Sequence, residues 1–82
     1  MDLSTIKDFK INVWYRGMKL LTVVSIDDHK IVFSNADKIT IGEDGSIHLN
    51  GTLICNDTDI NSNQLLDLYK YILIKKGYKF LE

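Results

Sequence analysis

The chain has no proline, one cysteine, no long apolar run and no surplus of basic charge. Each absence narrows what it can be. A lone Cys55 excludes an intramolecular disulfide, so an 82-residue domain without staples rests on its own core or on a partner. The apolar stretches fall well short of the ~20 residues that cross a bilayer. The start, MDLSTIKDFKINVWY, lacks the basic opening and apolar centre of a secretion signal, and the expected location is cytoplasmic. Formal net charge is −1 with both signs interspersed, whereas a nucleic-acid binder ordinarily shows a basic surplus or cluster. The only dense basic patch is KKGYK near the C-terminus. The glycines are scattered one per turn and form no phosphate-binding motif. Cys55, His29 and His48 have no CxxC or HxxxH spacing, so no metal or cofactor is expected.

What is present suits one globular domain. A hydrophobic share of 45% with 26% charged residues is ordinary for that class. No repeat, low-complexity tract or linker divides the chain. It reads as a single domain over residues 1–80, with Leu81-Glu82 resembling a vector-derived tail. Lysine supplies nine of the ten basic residues and Ile and Asn are frequent, as an AT-rich genome would give. Small size and that composition suit a phage or mobile-element accessory protein.

Residues 9–55 read as strands broken by turns, and residues 61–76 as a helix. FKINVWY ends at Arg16-Gly17. KLLTVVSI carries apolar groups on both faces, the mark of a central strand covered on two sides or of a barrel bend. DDHK and NAD turn the chain into IVFS and KITIG. Glu43-Asp44-Gly45 suits a three-residue hairpin loop with Gly45 left-handed, setting Ile41 opposite Ile47 and Ile39 opposite Leu49. Asn50-Gly51 suits a two-residue type I′ turn, setting Leu49 opposite Thr52 and Ile47 opposite Ile54. Both turns therefore place Ile39, Ile41, Ile47, Leu49 and Ile54 on one face, which the helix is expected to cover.

In the helix, Leu65, Leu68, Tyr69, Ile72 and Leu73 form an apolar stripe, and Gly77 reads as the residue that ends it. Tyr71, Ile74 and Tyr78 form a second stripe on roughly the opposite side. A lone helix on a sheet has no need of two. Either the YKF tail folds back, or this stripe contacts a partner or a second copy.

The stretch CNDTDINSNQ alternates acidic and amide residues as a calcium loop does. A loop starting at Asp57 needs Gly at its sixth position and a bidentate Glu at its twelfth, where Ser62 and Leu68 stand. INSNQLLDLYKYIL resembles the helix-opening segment of dockerin modules, which bind calcium and a cohesin partner. The acidic ligands that open and close the dockerin loop fall on Leu53 and Gln64, and the duplicated motif is absent, so the resemblance implies neither membership nor calcium. A helix start capped by Asn61 or Ser62 accounts for the stretch, with Ile60 as a staple against Leu65 or Leu66. His48 falls diagonal to Cys55 in the expected register, a conceivable Cys–His dyad, but no orienting third group is visible and an enzyme is not expected.

The expected fold is α+β: a mostly antiparallel, bent or partly barrel-like sheet of five to six short strands (about 9–55), then one C-terminal helix (about 61–76). The strand count is similar to that of Sm-like and other SH3-like barrels, without their motif residues. The expected function is non-catalytic binding of a protein partner or of a second copy, through Tyr71, Ile74 and Tyr78 or through Trp14, Tyr15 and Arg16. The alternative is a small nucleic-acid-binding barrel using Trp14, Tyr15, Arg16 and Lys19.

Overall fold

The computed structural model describes residues 3–57 and 59–81. Six strands follow one another as an antiparallel meander: β1 (Lys10–Tyr15), β2 (Met18–Ile26), β3 (Lys30–Phe33), β4 (Lys38–Ile41), β5 (Ile47–Leu49) and β6 (Thr52–Cys55). A helix, α1 (Ser62–Lys75), follows, and a short strand, β7 (Lys79–Phe80), returns to pair with β1. The sheet runs β6-β5-β4-β3-β2-β1-β7 and curls into a half-barrel. The α+β class holds. There are seven strands rather than five or six, because the tail beyond Gly77 folds back.

The turns set the register. Arg16 and Gly17 both have positive φ (47° and 86°), as do Asn50 and Gly51 (52° and 87°), the requirement of a type I′ hairpin. They bring Tyr15 opposite Met18 and Leu49 opposite Thr52. The loop over Glu43–Gly45 closes with Gly42 N–H donating to Ser46 O at 2.8 Å, so Ile41 meets Ile47 and Ile39 meets Leu49, as the sequence predicts.

One pairing differs. Ile47 lies opposite Cys55, not Ile54, because β6 carries an extra residue between its pairings with Ile47 and His48. Strict alternation would turn Cys55 outward beside His48. The bulge lets both Ile54 and Cys55 pack against the core.

The core lies between the concave face of the sheet and α1. Leu21, Ile31, Phe33, Ile39 and Ile47 from the sheet meet Leu65, Tyr69 and Leu73 from the helix, all buried. Each such aliphatic side chain contributes about 1.5–3 kcal/mol through the water-exposed area it removes. The Tyr69 ring stacks on Phe33 at 4.2 Å between centroids, and Phe9 meets Phe33 edge-on at 5.7 Å. Ile6, in a turn ahead of β1, is also fully buried. The Thr5 and Ser62 hydroxyls, 2.8 Å apart, tie that turn to the helix start. No sequence pattern marks this turn, since one isoleucine among Ser, Thr, Lys and Asp has no periodicity.

Both helix ends are closed. Asn61 accepts from Gln64 N–H at 2.9 Å while Gln64 accepts from Asn61 N–H at 3.0 Å, a reciprocal capping box. At the other end Gly77, at φ 104°, lets Tyr78 N–H donate to Leu73 O and its own N–H to Ile74 O, both at 3.0 Å. This left-handed step sends Tyr78 inward and aims the tail at β1.

Candidate interaction surfaces

The hairpin tip carrying Trp14, Tyr15 and Arg16 is not one surface. Ile11 and Val13 are buried on the concave side, so alternation puts Trp14 on the convex side, 56% exposed. Tyr15 turns inward and stacks on Tyr78, with ring centroids 3.9 Å apart and planes at 10°. Arg16 sits at the exposed tip with its guanidinium 5.2 Å from the Tyr15 ring centre. Tyr78 is only 8% exposed and therefore leaves the stripe assigned to it with Tyr71 and Ile74. Those two remain exposed on the outer side of α1, with the Lys75 ammonium 5.2 Å from the Tyr71 ring centre.

The convex face of the sheet has an uneven charge. Among the described residues no Asp or Glu falls within a strand, and the charged strand residues are Lys10, Lys19, Lys30, Lys38 and Lys79. Pairing places Lys79 beside Trp14, Lys10 beside Thr22, Lys38 beside Val32 and Lys30 beside Thr40, all opposite in sense to the buried Ile31, Phe33 and Ile39. Among these lysines stand large apolar side chains: Trp14, Leu20, Val24 and Leu53. The two-faced apolar pattern of KLLTVVSI thus reflects a strand whose inner side is core and whose outer side is uncovered.

A polar network closes the end of the half-barrel beside the helix C-terminus. Asp37 is buried and accepts from the Tyr69 hydroxyl at 2.9 Å, from Asn35 Nδ2 at 3.0 Å and from Asn50 Nδ2 at 2.9 Å. Asn35 Nδ2 also donates to the Tyr78 hydroxyl at 3.0 Å. Burial, reinforced by the nearby Asp37 charge, pushes the Tyr69 hydroxyl far above the usual phenol range, so it remains a hydrogen-bond donor. These groups join the β3–β4 turn, the β5–β6 turn, α1 and the tail. Every buried polar side-chain atom of the network has a partner, which suits a structural pin rather than a reactive centre.

The remaining candidates separate. His48 pairs with Leu53 and lines an open cleft of about 570 Å³ shared with His29, whereas Cys55 packs against the core and does not line that cleft. Asp57 accepts from Asp59 N–H at 2.9 Å in a local turn. Among the described residues no group of three His, Cys, Asp or Glu side chains is placed to hold a metal.

A further groove of about 320 Å³ lies between β6 and α1, lined by Leu49, Asn50, Thr52, Ile54, Ile72 and Lys76. Sequence reading missed it, because being a sheet edge is a property of the whole topology. Among the described residues no helix is long and apolar enough to cross a membrane. No family model, curated protein or solved structure matches the chain.

Proposed function

We propose that this chain is a small non-catalytic, cytoplasmic protein-binding module whose convex sheet face receives a partner protein with an acidic, partly apolar surface. The observation that carries this reading is the exposure of Trp14, Leu20 and Val24 among strand lysines that have no acidic neighbour within the strands. Large apolar groups rimmed by charge are what protein contacts use, and Trp is a favoured anchor. Tyr71 and Ile74 offer a second, smaller contact on the helix. The small size and lysine-rich, AT-type composition are consistent with a mobile-element accessory role.

The test places a photo-crosslinking residue at position 14, 20 or 24, with position 63 on the helix as control, in the cell that makes the protein. Discrete adducts with one protein from the sheet positions and none from position 63 are expected. Equal background at all four sinks the reading.

A second reading, single-stranded nucleic acid on the same face, is favoured by one observation: Lys79 stands beside the exposed indole of Trp14, which could stack a base. The aliphatic Leu20, Val24 and Leu53 have no role in it. It predicts quenching of Trp14 fluorescence by oligonucleotides that weakens steeply with salt. No quenching at low salt removes it.

A further inference from the structure

The β6 edge has what a strand-pairing site needs. β6 ends the sheet, and among the described residues nothing pairs with its outer side. Its sequence, Thr52-Leu53-Ile54-Cys55, has no charge and no proline, two of the devices that keep an edge from pairing, and the bulge at Ile54, a third, lies past Leu53. Residues flanking a two-residue hairpin turn bond to each other, so Thr52 uses its backbone groups on Leu49, and the N–H and C=O of Leu53 point outward. The Leu53 side chain is 53% exposed on the convex side. On the concave side the groove between Ile54 and Ile72 is open at the same edge.

We infer that the occupant of this edge is the β6 of a second copy, paired antiparallel about a two-fold axis between the two Leu53 residues. Charge favours a copy of this chain over an arbitrary strand. Lys76 lines the groove at the Asn50–Thr52 end of β6 and no acidic residue lines it. Asp57 lies just past the other end of β6, near Gly42 and Gly45. Antiparallel pairing sets the start of one strand beside the end of the other. It therefore brings Lys76 of each copy to Asp57 and Asp59 of its partner, twice by symmetry. With Leu53 on the axis, Asn50 lies three residues to one side and Asp57 four to the other, and the bulge at Ile54 absorbs the difference. The two half-barrels become one continuous sheet and the two Leu53 side chains cover each other. So short a seam is a weak one, with a dissociation constant of about 10 µM or above.

The experiment uses the full chain. Sedimentation velocity from ~10 to ~500 µM, a range set by that affinity, shows a monomer–dimer equilibrium. Leu53→Asp opposes two like charges on the axis and shifts the equilibrium to monomer by tenfold or more (about 1.4 kcal/mol or above). In a Cys55→Ala background, Leu53→Cys places two thiols on a hydrogen-bonded pair. Its ~5.5 Å Cα separation lies within disulfide range. Mild oxidation then gives a covalent dimer, while Val24→Cys, at a more exposed position, does not. Lys76→Asp weakens the dimer and Asp57→Lys in the same chain restores it. Monomer throughout the range, equal crosslinking of Leu53→Cys and Val24→Cys, or a dimer indifferent to Leu53→Asp each overturns the proposal. Circular dichroism confirms that Leu53→Asp folds; should it not, the cysteine pair decides alone.

Discussion

At one edge of the sheet, β1 pairs through Val13 and Trp14 with the chain's own tail; at the other, β6 presents Thr52 to Cys55 with nothing against it among the described residues. The covered edge is anchored away from its short ladder. Tyr78 stacks on Tyr15, its hydroxyl takes a bond from Asn35, and Leu81 N–H reaches Asn12 O at 3.0 Å. Lys79 adds a charge to that rim. The bare edge has only the bulge at Ile54. An antiparallel meander leaves two edges, and this chain covers β1 at one of them with a two-residue strand that follows its helix. The contrast separates an edge whose residues hold the fold from one whose backbone is left open to pairing.

Tyr78→Ala tests the contrast most severely. It deletes a buried aromatic ring and frees β7 from β1, and the expected loss is about 3–5 kcal/mol in urea unfolding. Leu53→Ala, at the bare edge, is expected to stay within about 0.5 kcal/mol. Equal losses at the two positions would mean that β6 is as much a part of the fold's closure as β7, and the distinction between the edges would fall.

Much of this arrangement is legible in the order of residues alone. Asn50-Gly51 and Glu43-Asp44-Gly45 fix pairings because few residues accept positive φ, and the β4–β5 register follows from them. The capped helix reads equally well from its periodicity. What fails to show has physical reasons. TLIC is compatible with either register, so the bulge that separates Cys55 from His48 is invisible. A strand as short as Lys79–Phe80 has no period to detect. Trp14 is found by residue type, and alternation alone sets it on the face opposite Tyr15; which of the two faces meets the helix is settled only by the fold. The Asp37 network joins residues distant in sequence, and only the closed fold brings Tyr69 and Tyr78 to Asn35 and Asp37. Leu81 shows the same dependence. It reads as a tail to be set aside, yet its backbone extends the covered edge, whereas Glu82 lies outside the described residues.

That network touches both ends of the sheet. Asn35 holds Tyr78 of the tail, and Asp37 holds Asn50 of the turn that leads into β6. Tyr69→Phe removes the hydroxyl between them and leaves Asp37 with one bond fewer in a buried place, an expected loss of about 1–2 kcal/mol. If the network couples the edges, Tyr78→Phe and Asn50→Ala combine non-additively by about 0.5–1 kcal/mol in a double-mutant cycle. Additivity would show that each edge is held separately.

The smallest effect concerns the loop that positions β5 and therefore the bare edge. The Asp44 carboxylate accepts from the Ser46 hydroxyl at 2.6 Å and from Ser46 N–H at 3.0 Å, and these bonds hold its pKa below the ordinary 3.8. Asp27, accepting from His29 N–H at 2.8 Å, is lowered in the same way. A carboxyl whose pKa is depressed on folding stabilises the native state above its unfolded value, and that contribution disappears as pH falls through the folded value. The affected window therefore lies below about pH 4, with no change expected at neutral pH. Both groups are fully exposed, so the step is small. Urea midpoints between pH 5 and 2 should fall less for Asp44→Asn than for the parent chain. The protection factor of the Ser46 amide, taken against the unstructured exchange rate at each pH, should fall in the parent as the acid limb begins, while that of Lys79 at the covered edge holds. Simultaneous loss at both amides would show that acid opens the whole sheet at once, and would remove the mechanical independence of the bare edge.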